Sequence, residues 1–217
     1  MLSKTSLIIL GITKTGDNAI VLHTLSAAHG RKGFIVNVNR KTPMSQFLPL
    51  NILEAEVIEN PKSKLWRIRN ITVKHPLMGI RSDIYKNTMT LFMSEVLFRI
   101  VREGSAGEDL FTWCEKSILT LDAIKSDYSN FHLRFLLELA IVLGFSPSIA
   151  DLTPFAADNI ELLASFIKAS FAESMLIPMN GNVRNKLADA LLRYISYHSE
   201  TRINVQSLKV LRELYGN

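Results

Sequence analysis

The chain holds a single cysteine, Cys114, in 217 residues. A lone cysteine excludes an intramolecular disulfide and any zinc site built on cysteine clusters. Cys114 stands in LFTWCEKSIL, a helical pattern, where a small core hydrophobe is expected rather than a nucleophile. Long apolar runs are also missing. The N-terminal stretch MLSKTSLIILGITKTGD is too short in apolar residues for a signal h-region. FHLRFLLELAIVLGF (131–145) is broken by Arg134 and Glu138 and cannot span a bilayer. The expectation is a soluble, cytoplasmic protein with no membrane partner.

Chemistry-bearing motifs are equally scarce. G-x-x-x-x-G-K-[ST], G-x-G-x-x-G and G-x-S-x-G are all absent, so ATP hydrolysis, dinucleotide chemistry and acyl transfer have no support. The five histidines (His23, His29, His75, His132, His198) are scattered, with none paired at metal-ligand spacing. Glu54 and Glu56 share a strand face and read as a solvated edge rather than an acid/base pair. No catalytic residue, cofactor or metal is expected.

What the chain does have is an uneven charge. The net charge is +5, but residues 1–80 carry eleven Lys/Arg against four Asp/Glu, a net of +7, which leaves −2 for the remainder. A basic half beside a mildly acidic one suggests an acidic polymer as partner for the first half. The plainer reading is that these cations solvate a small domain.

The first eighty residues read as strands. SLIILGI (6–12) ends at the turn KTGDN, and NAIVLHTL (18–25) follows, so the two form a hairpin. RKGFIVNV is a third strand, with Phe34, Val36 and Val38 on one side and Ile35 and Asn37 on the other. NILEAEVIE (51–59) alternates Leu53, Ala55 and Val57 inward with Glu54 and Glu56 outward. LWRIRNITV (65–73) places Trp66 and Ile68 on one face and Arg67, Arg69 and Ile71 on the other. Five short strands fit a small closed barrel, because closure removes exposed edges. An OB-fold is expected over residues 1–78.

Beyond His75-Pro76 the apolar period becomes helical. Asp83 is the N-cap of a helix that Gly104 stops. Residues 108–124 form a second helix. Asn130 opens a third, which Gly144 closes before Pro147. Asp158 or Asn159 starts a fourth that runs to about Phe171. Asn182 opens a fifth, and Gln206 to Tyr215 make a last short one. The chain is therefore α+β, with a five-stranded OB barrel followed by a helical bundle over 79–217.

Lys and Arg gain affinity for closely spaced phosphates by releasing counterions, a contact that needs positive surface but no fixed spacing. Arg67 and Arg69 are two apart on a strand and share a side. Lys62 and Lys64 lead into that strand, Lys14 lies in the first turn, and Arg40 and Lys41 follow the third strand. In an OB barrel the loops after strands 1 and 4, with the sheet face between them, form the nucleic-acid groove. Aromatics for base stacking are few here: Phe34, Phe47 and Trp66, of which Phe34 and Trp66 alternate inward. Binding is then expected to rest on phosphate contacts and to tolerate sequence and strandedness.

The order of these elements, and the stretches HTLSAAHGRKGFIVNVNR, PLNILEAEVIE, NTMTLFMSEVLFRIVREGSAGEDLFTWCEKSILTLD, NFHLRFLLELAIVLGFSPS and SLKVLRELY, resemble the RecO family of bacterial recombination mediators along nearly the whole chain. The resemblance implies a non-enzymatic, nucleoid-associated protein that binds single- and double-stranded DNA and anneals complementary strands. It implies three partners as well: RecR, the acidic tail of single-strand-binding protein and, indirectly, RecA, whose loading onto coated DNA the family assists. It points to Arg31, Lys32, Arg40 and Lys41 as DNA contacts; Arg67 and Arg69 come from strand geometry alone. Two departures stand out. Many relatives carry a four-cysteine zinc module, absent here, and the loop after the third strand, often densely basic, supplies only Arg40 and Lys41. An RNA-binding OB protein and a protein-interaction scaffold are the other readings that the charge asymmetry permits.

Overall fold

A computed structural model describes residues 2–104 and 107–215. Five strands come first: β1 (Leu2–Lys14), β2 (Ala19–Ser26), β3 (Gly30–Asn37), β4 (Ile52–Ile58) and β5 (Trp66–Val73). They close in the order β1-β2-β3-β5-β4, with β3 and β5 parallel and every other pair antiparallel. This is the five-stranded OB barrel. The first strand is longer than its apolar run suggests, because polar Ser3 to Ser6 still pair with β4 and Lys14 still pairs with Ile20.

Alternation fills the barrel as expected. Leu7, Ile9, Ile20, Leu22, Phe34, Val36, Phe47, Leu53, Ala55, Val57 and Ile68 form its core. One residue departs from the pattern. Ile71, expected on the outer side with Arg67 and Arg69, packs against this core instead. The cause is local. Asn70 takes the left-handed backbone region at φ 51, and the β4–β5 register shifts between Glu54 and Glu56, so the side-chain alternation resets within β5.

Helical segments follow: α1 (Met78–Arg81), α2 (Ile84–Ile100), α3 (Glu108–Ala123), α4 (Phe131–Val142), α5 (Ile149–Ala156), α6 (Ile160–Lys168), α7 (Phe171–Leu176), α8 (Gly181–His198) and α9 (Ser207–Tyr215). Among the described residues no helix is long and apolar enough to cross a membrane. The chain divides into two compact units, Met1–Met78 with Ser94–Leu119, and Gly79–Met93 with Thr120–Asn217.

In the first unit, β1 is buried on both sides: Ile8 and Leu10 are buried as well as Leu7 and Ile9. Ile8 pairs with Leu25, on the side of β2 where the His23 ring meets Phe98 edge-on at 5.1 Å. The C-terminal half of α2 covers that outer side. Cys114, on α3, is buried too, and burial alone pushes its thiol pKa far up, as suits a core hydrophobe.

In the second unit, Asp83 caps α2 as expected, accepting from the backbone N–H of Tyr85 and Lys86 at 2.8 and 3.1 Å. Gly144 ends α4 at φ 88, with Phe145 N–H reaching Ala140 O at 2.9 Å. Asn130 opens α4 as expected, although its side chain makes no capping bond. Two boundaries differ from the expectation. Asn180, not Asn182, caps α8, accepting from Val183 N–H at 2.9 Å. The expected fourth helix divides into α6 and the start of α7, and an unexpected helix stands before it. α5 precedes it, α6 ends at Lys168, and Ser170 with Glu173 forms a capping box that starts α7 at Phe171.

Candidate nucleic-acid interface

β3 and β5 pair only at Phe34–Trp66 and Ile35–Arg67. Beyond these rows they part, and the barrel wall opens into a cleft of about 380 Å³. Val36, Asn37, Arg67, Arg69, Asn70 and Thr42 are among its lining residues. Phe47, from the 3-10 turn Met44–Phe47, also lines it while remaining 2% exposed, so it belongs to the core.

The two loops expected to flank a groove do flank this one. Trp66, which ends the 59–65 loop, pairs with Phe34; Ala19, which ends the 15–18 turn, pairs with Asn37. Three residues of extended chain separate those rows, about 10 Å. Lys14 pairs with Ile20 and Ile20 with Val36, so Lys14 stands two strand spacings, about 10 Å, from a cleft residue. It is the last residue of β1 rather than part of the turn.

The basic loops are shaped by asparagines. Asn39 Oδ1 accepts from Lys41 N–H at 2.8 Å, and Asn39 N–H donates to Thr42 Oγ1 at 2.9 Å. Asn60 Oδ1 accepts from Lys62 N–H at 3.1 Å, and its carbonyl accepts from Ser63 N–H at 2.9 Å. Such Asx turns hold the backbone tightly and turn the flanking side chains toward solvent. Lys14, Arg40, Lys41, Lys62, Lys64 and Arg67 are all exposed, and none forms an ion pair among the described residues. Asp17 and Glu59 stand in the same two loops as counter-charges.

Three other cations named from the sequence are engaged within the first unit. Arg31 donates from Nη1 to Val101 O at 2.7 Å, and its guanidinium lies 4.4 Å from the Phe98 ring centroid. Burial lowers its pKa, partly offset by Glu103. Lys32 Nζ sits 4.1 Å over the ring of Trp66, which is half-buried rather than fully interior. Arg69 Nε donates to Glu56 Oε2 at 3.0 Å. The structure thus gathers Arg67 and Arg69 at the cleft, brings the 39–42 loop to its edge through Thr42, and sets Arg31 and Lys32 to other contacts.

Sequence reasoning read Glu56 as part of a solvated edge and passed over Asn70. The Glu56 carboxyl is held below its usual range by hydrogen bonds from Asn70 and Arg69, the first being the larger. It is therefore a fixed anion beside a cation, not a loosely solvated one. The available signal was Asn in the middle of WRIRNITV, since asparagine tolerates the left-handed region that most residues avoid.

Comparison with known proteins adds to this geometry. Residues 81–152 match the family model for the recombination protein O C terminal. The "DNA repair protein RecO" of Bacteroides fragilis is 30% identical over 241 residues, covering 99% of this chain and 100% of the relative. Proteins of the same name from Phocaeicola vulgatus and Flavobacterium psychrophilum are 29% and 27% identical, each across at least 98% of both chains.

Proposed function

Because the chain belongs to the RecO family of DNA repair proteins, we propose that its β3–β5 cleft and flanking loops bind the DNA backbone without enzymatic turnover. Bound strands are annealed there, and RecA is helped onto DNA coated by single-strand-binding protein. One observation carries this reading: exposed cations, without an ion pair among the described residues, line or flank the opening between β3 and β5 of a closed barrel. Lys14, Arg40, Lys41, Lys62, Lys64 and Arg67 are the leading contacts. They offset repulsion between two phosphate chains and so let complementary bases meet.

The cleft offers little to a base. Its aromatic residue, Phe47, is 2% exposed, and its apolar lining is aliphatic. Affinity then comes from counterion release and is nearly independent of sequence. The helical residues are assigned to protein partners, RecR and the acidic tail of single-strand-binding protein.

A salt titration of binding to a labelled single strand tests the contact set. Log affinity should fall linearly with log salt. An Arg40→Ala/Lys41→Ala/Arg67→Ala variant should flatten the slope by about 0.7 for each lost phosphate contact, close to 2 in all. An unchanged slope would remove these residues from the site. Preference for RNA at matched salt would favour an RNA-binding protein, and no polyanion binding at all would favour a scaffold. Strand annealing on DNA coated with single-strand-binding protein, with and without its acidic tail, tests the mediator role. Annealing that ignores the tail would remove that partner.

A further inference from the structure

Arg67 and Arg69 lie on one side of β5, two residues apart, yet their surroundings differ. Arg67 pairs across its row with Ile35 on β3 and Ile58 on β4, and among the described residues no carboxylate pairs with it. Arg69 faces Glu56 directly in the antiparallel register, and Nε and Oε2 meet at 3.0 Å. The two partners are unequally fixed. The Glu56 side chain is 19% exposed and also bonds the Asn70 amide, whereas the Arg69 side chain is 56% exposed. Asn70 reaches Glu56 because its left-handed backbone turns it away from the path of the strand.

Arg69 and Asn70 line the β3–β5 cleft, while Glu56 and Asn70 line a neighbouring one of about 580 Å³ that also holds Glu54 and Glu108, with Lys4 as its cation. The pair thus stands on the ridge between a basic opening and an acidic one. Resting on the reading of the cleft as a DNA-backbone site, we propose that Glu56 is an internal competitor of phosphate: its carboxylate occupies Arg69, and a DNA strand must displace it to use that guanidinium. An exposed pair of this kind is weak, so a phosphate can win the exchange. The consequence is a contact that forms and releases easily, as an annealing surface requires when strands must slide into register.

Glu56→Gln removes the charge and keeps an acceptor for both neighbours. The measurement is affinity for a labelled single strand against salt, with thermal melting as a check on the fold. Glu56→Gln should bind about three- to tenfold tighter at low salt, with a slope steeper by about 0.7, one extra phosphate contact. Glu56→Ala should do the same and serves if the glutamine variant folds poorly. Arg69→Ala should change the parent little but abolish the gain in the Glu56→Gln background. Equal affinity and slope for parent and Glu56→Gln would overturn the proposal. A gain that persists in Glu56→Gln/Arg69→Ala would also overturn it, because simple loss of negative charge would then suffice. A parent that binds no single strand at all would instead defeat the cleft reading on which the proposal stands.

Discussion

His132 is sealed inside the second unit, its ring meeting Phe92 edge-on at 6.0 Å. Burial, aided by the nearby charge of Arg184, holds its pKa down to about 3, against 6.5 for a free imidazole. The unfolded chain therefore takes up a proton as pH falls below 6.5, while the folded chain does not until about 3. Stability from this residue is complete above 6.5 and declines by up to about 1.4 kcal/mol per pH unit on the way down. Urea unfolding at pH 7 and pH 5 should differ by about 2 kcal/mol through His132, and His132→Leu should narrow that difference by a similar amount. An undiminished difference in His132→Leu would show that other groups carry it. At this scale the sequence was only partly legible. Burial of Phe34 and Cys114 followed from period and composition. Ile71 did not, because one left-handed asparagine resets the alternation, and Glu56 did not, because an ion pair depends on register across two strands.

Elements in this chain are held at their ends by contacts distant in sequence. α1 approaches the end of α3 so closely that a Cβ on Gly79 would lie 2.0 Å from Asp122 O, a backbone atom that cannot move aside. Asp122 Oδ1 meanwhile accepts from Ile80 N–H at 2.7 Å, and the Lys86 ammonium donates to the carbonyls of Asp122 and Ile124. Gly79→Ala should cost at least about 2 kcal/mol, as overpacking of a closed contact does, and should lower the melting temperature by several degrees. An alanine variant as stable as the parent would mean that α1 shifts freely. Asn130 works similarly. Its amide donates to Ser174 O and Ile177 O, and its carbonyl accepts from Arg184 Nε at 3.0 Å, so α4, α7 and α8 meet on one side chain. Sequence periodicity located most strands and the long helices, because each has a clear repeat. It merged α6 with the start of α7 and missed α5, since helices of six to nine residues hold too few turns for a period, and Pro154 lies within α5. Asn130 opens α4 where the sequence places it, but its side chain serves partners more than forty residues away, which periodicity does not reveal.

For the whole molecule, the change from strand to helix near His75-Pro76 and the limits of a compact unit are separate matters. The barrel shares its unit with Ser94–Leu119, far along the chain. Phe98 meets His23 edge-on and lies under the Arg31 guanidinium, Val101 O accepts from Arg31, and Glu115 pairs with Lys74 at 2.8 Å. The outer side of β1 and β2 that this segment covers includes Ile8, Leu10 and Leu25, each at most 5% exposed. Stripping the cover from three such side chains would cost on the order of 5–9 kcal/mol, comparable to the entire stability of a small domain. A segment spanning 1–78 alone should then lack a cooperative urea transition and bind hydrophobic dyes, although all five strands and all of the proposed DNA contacts are present in it. Its affinity for a single strand should fall with its structure, while the full chain retains both. Near-UV circular dichroism of Trp66 in the segment reads the outcome. A native-like signal with a sigmoidal transition would show that the strands close without their helical cover, and that Arg31 is free to meet phosphate rather than needed to hold α2.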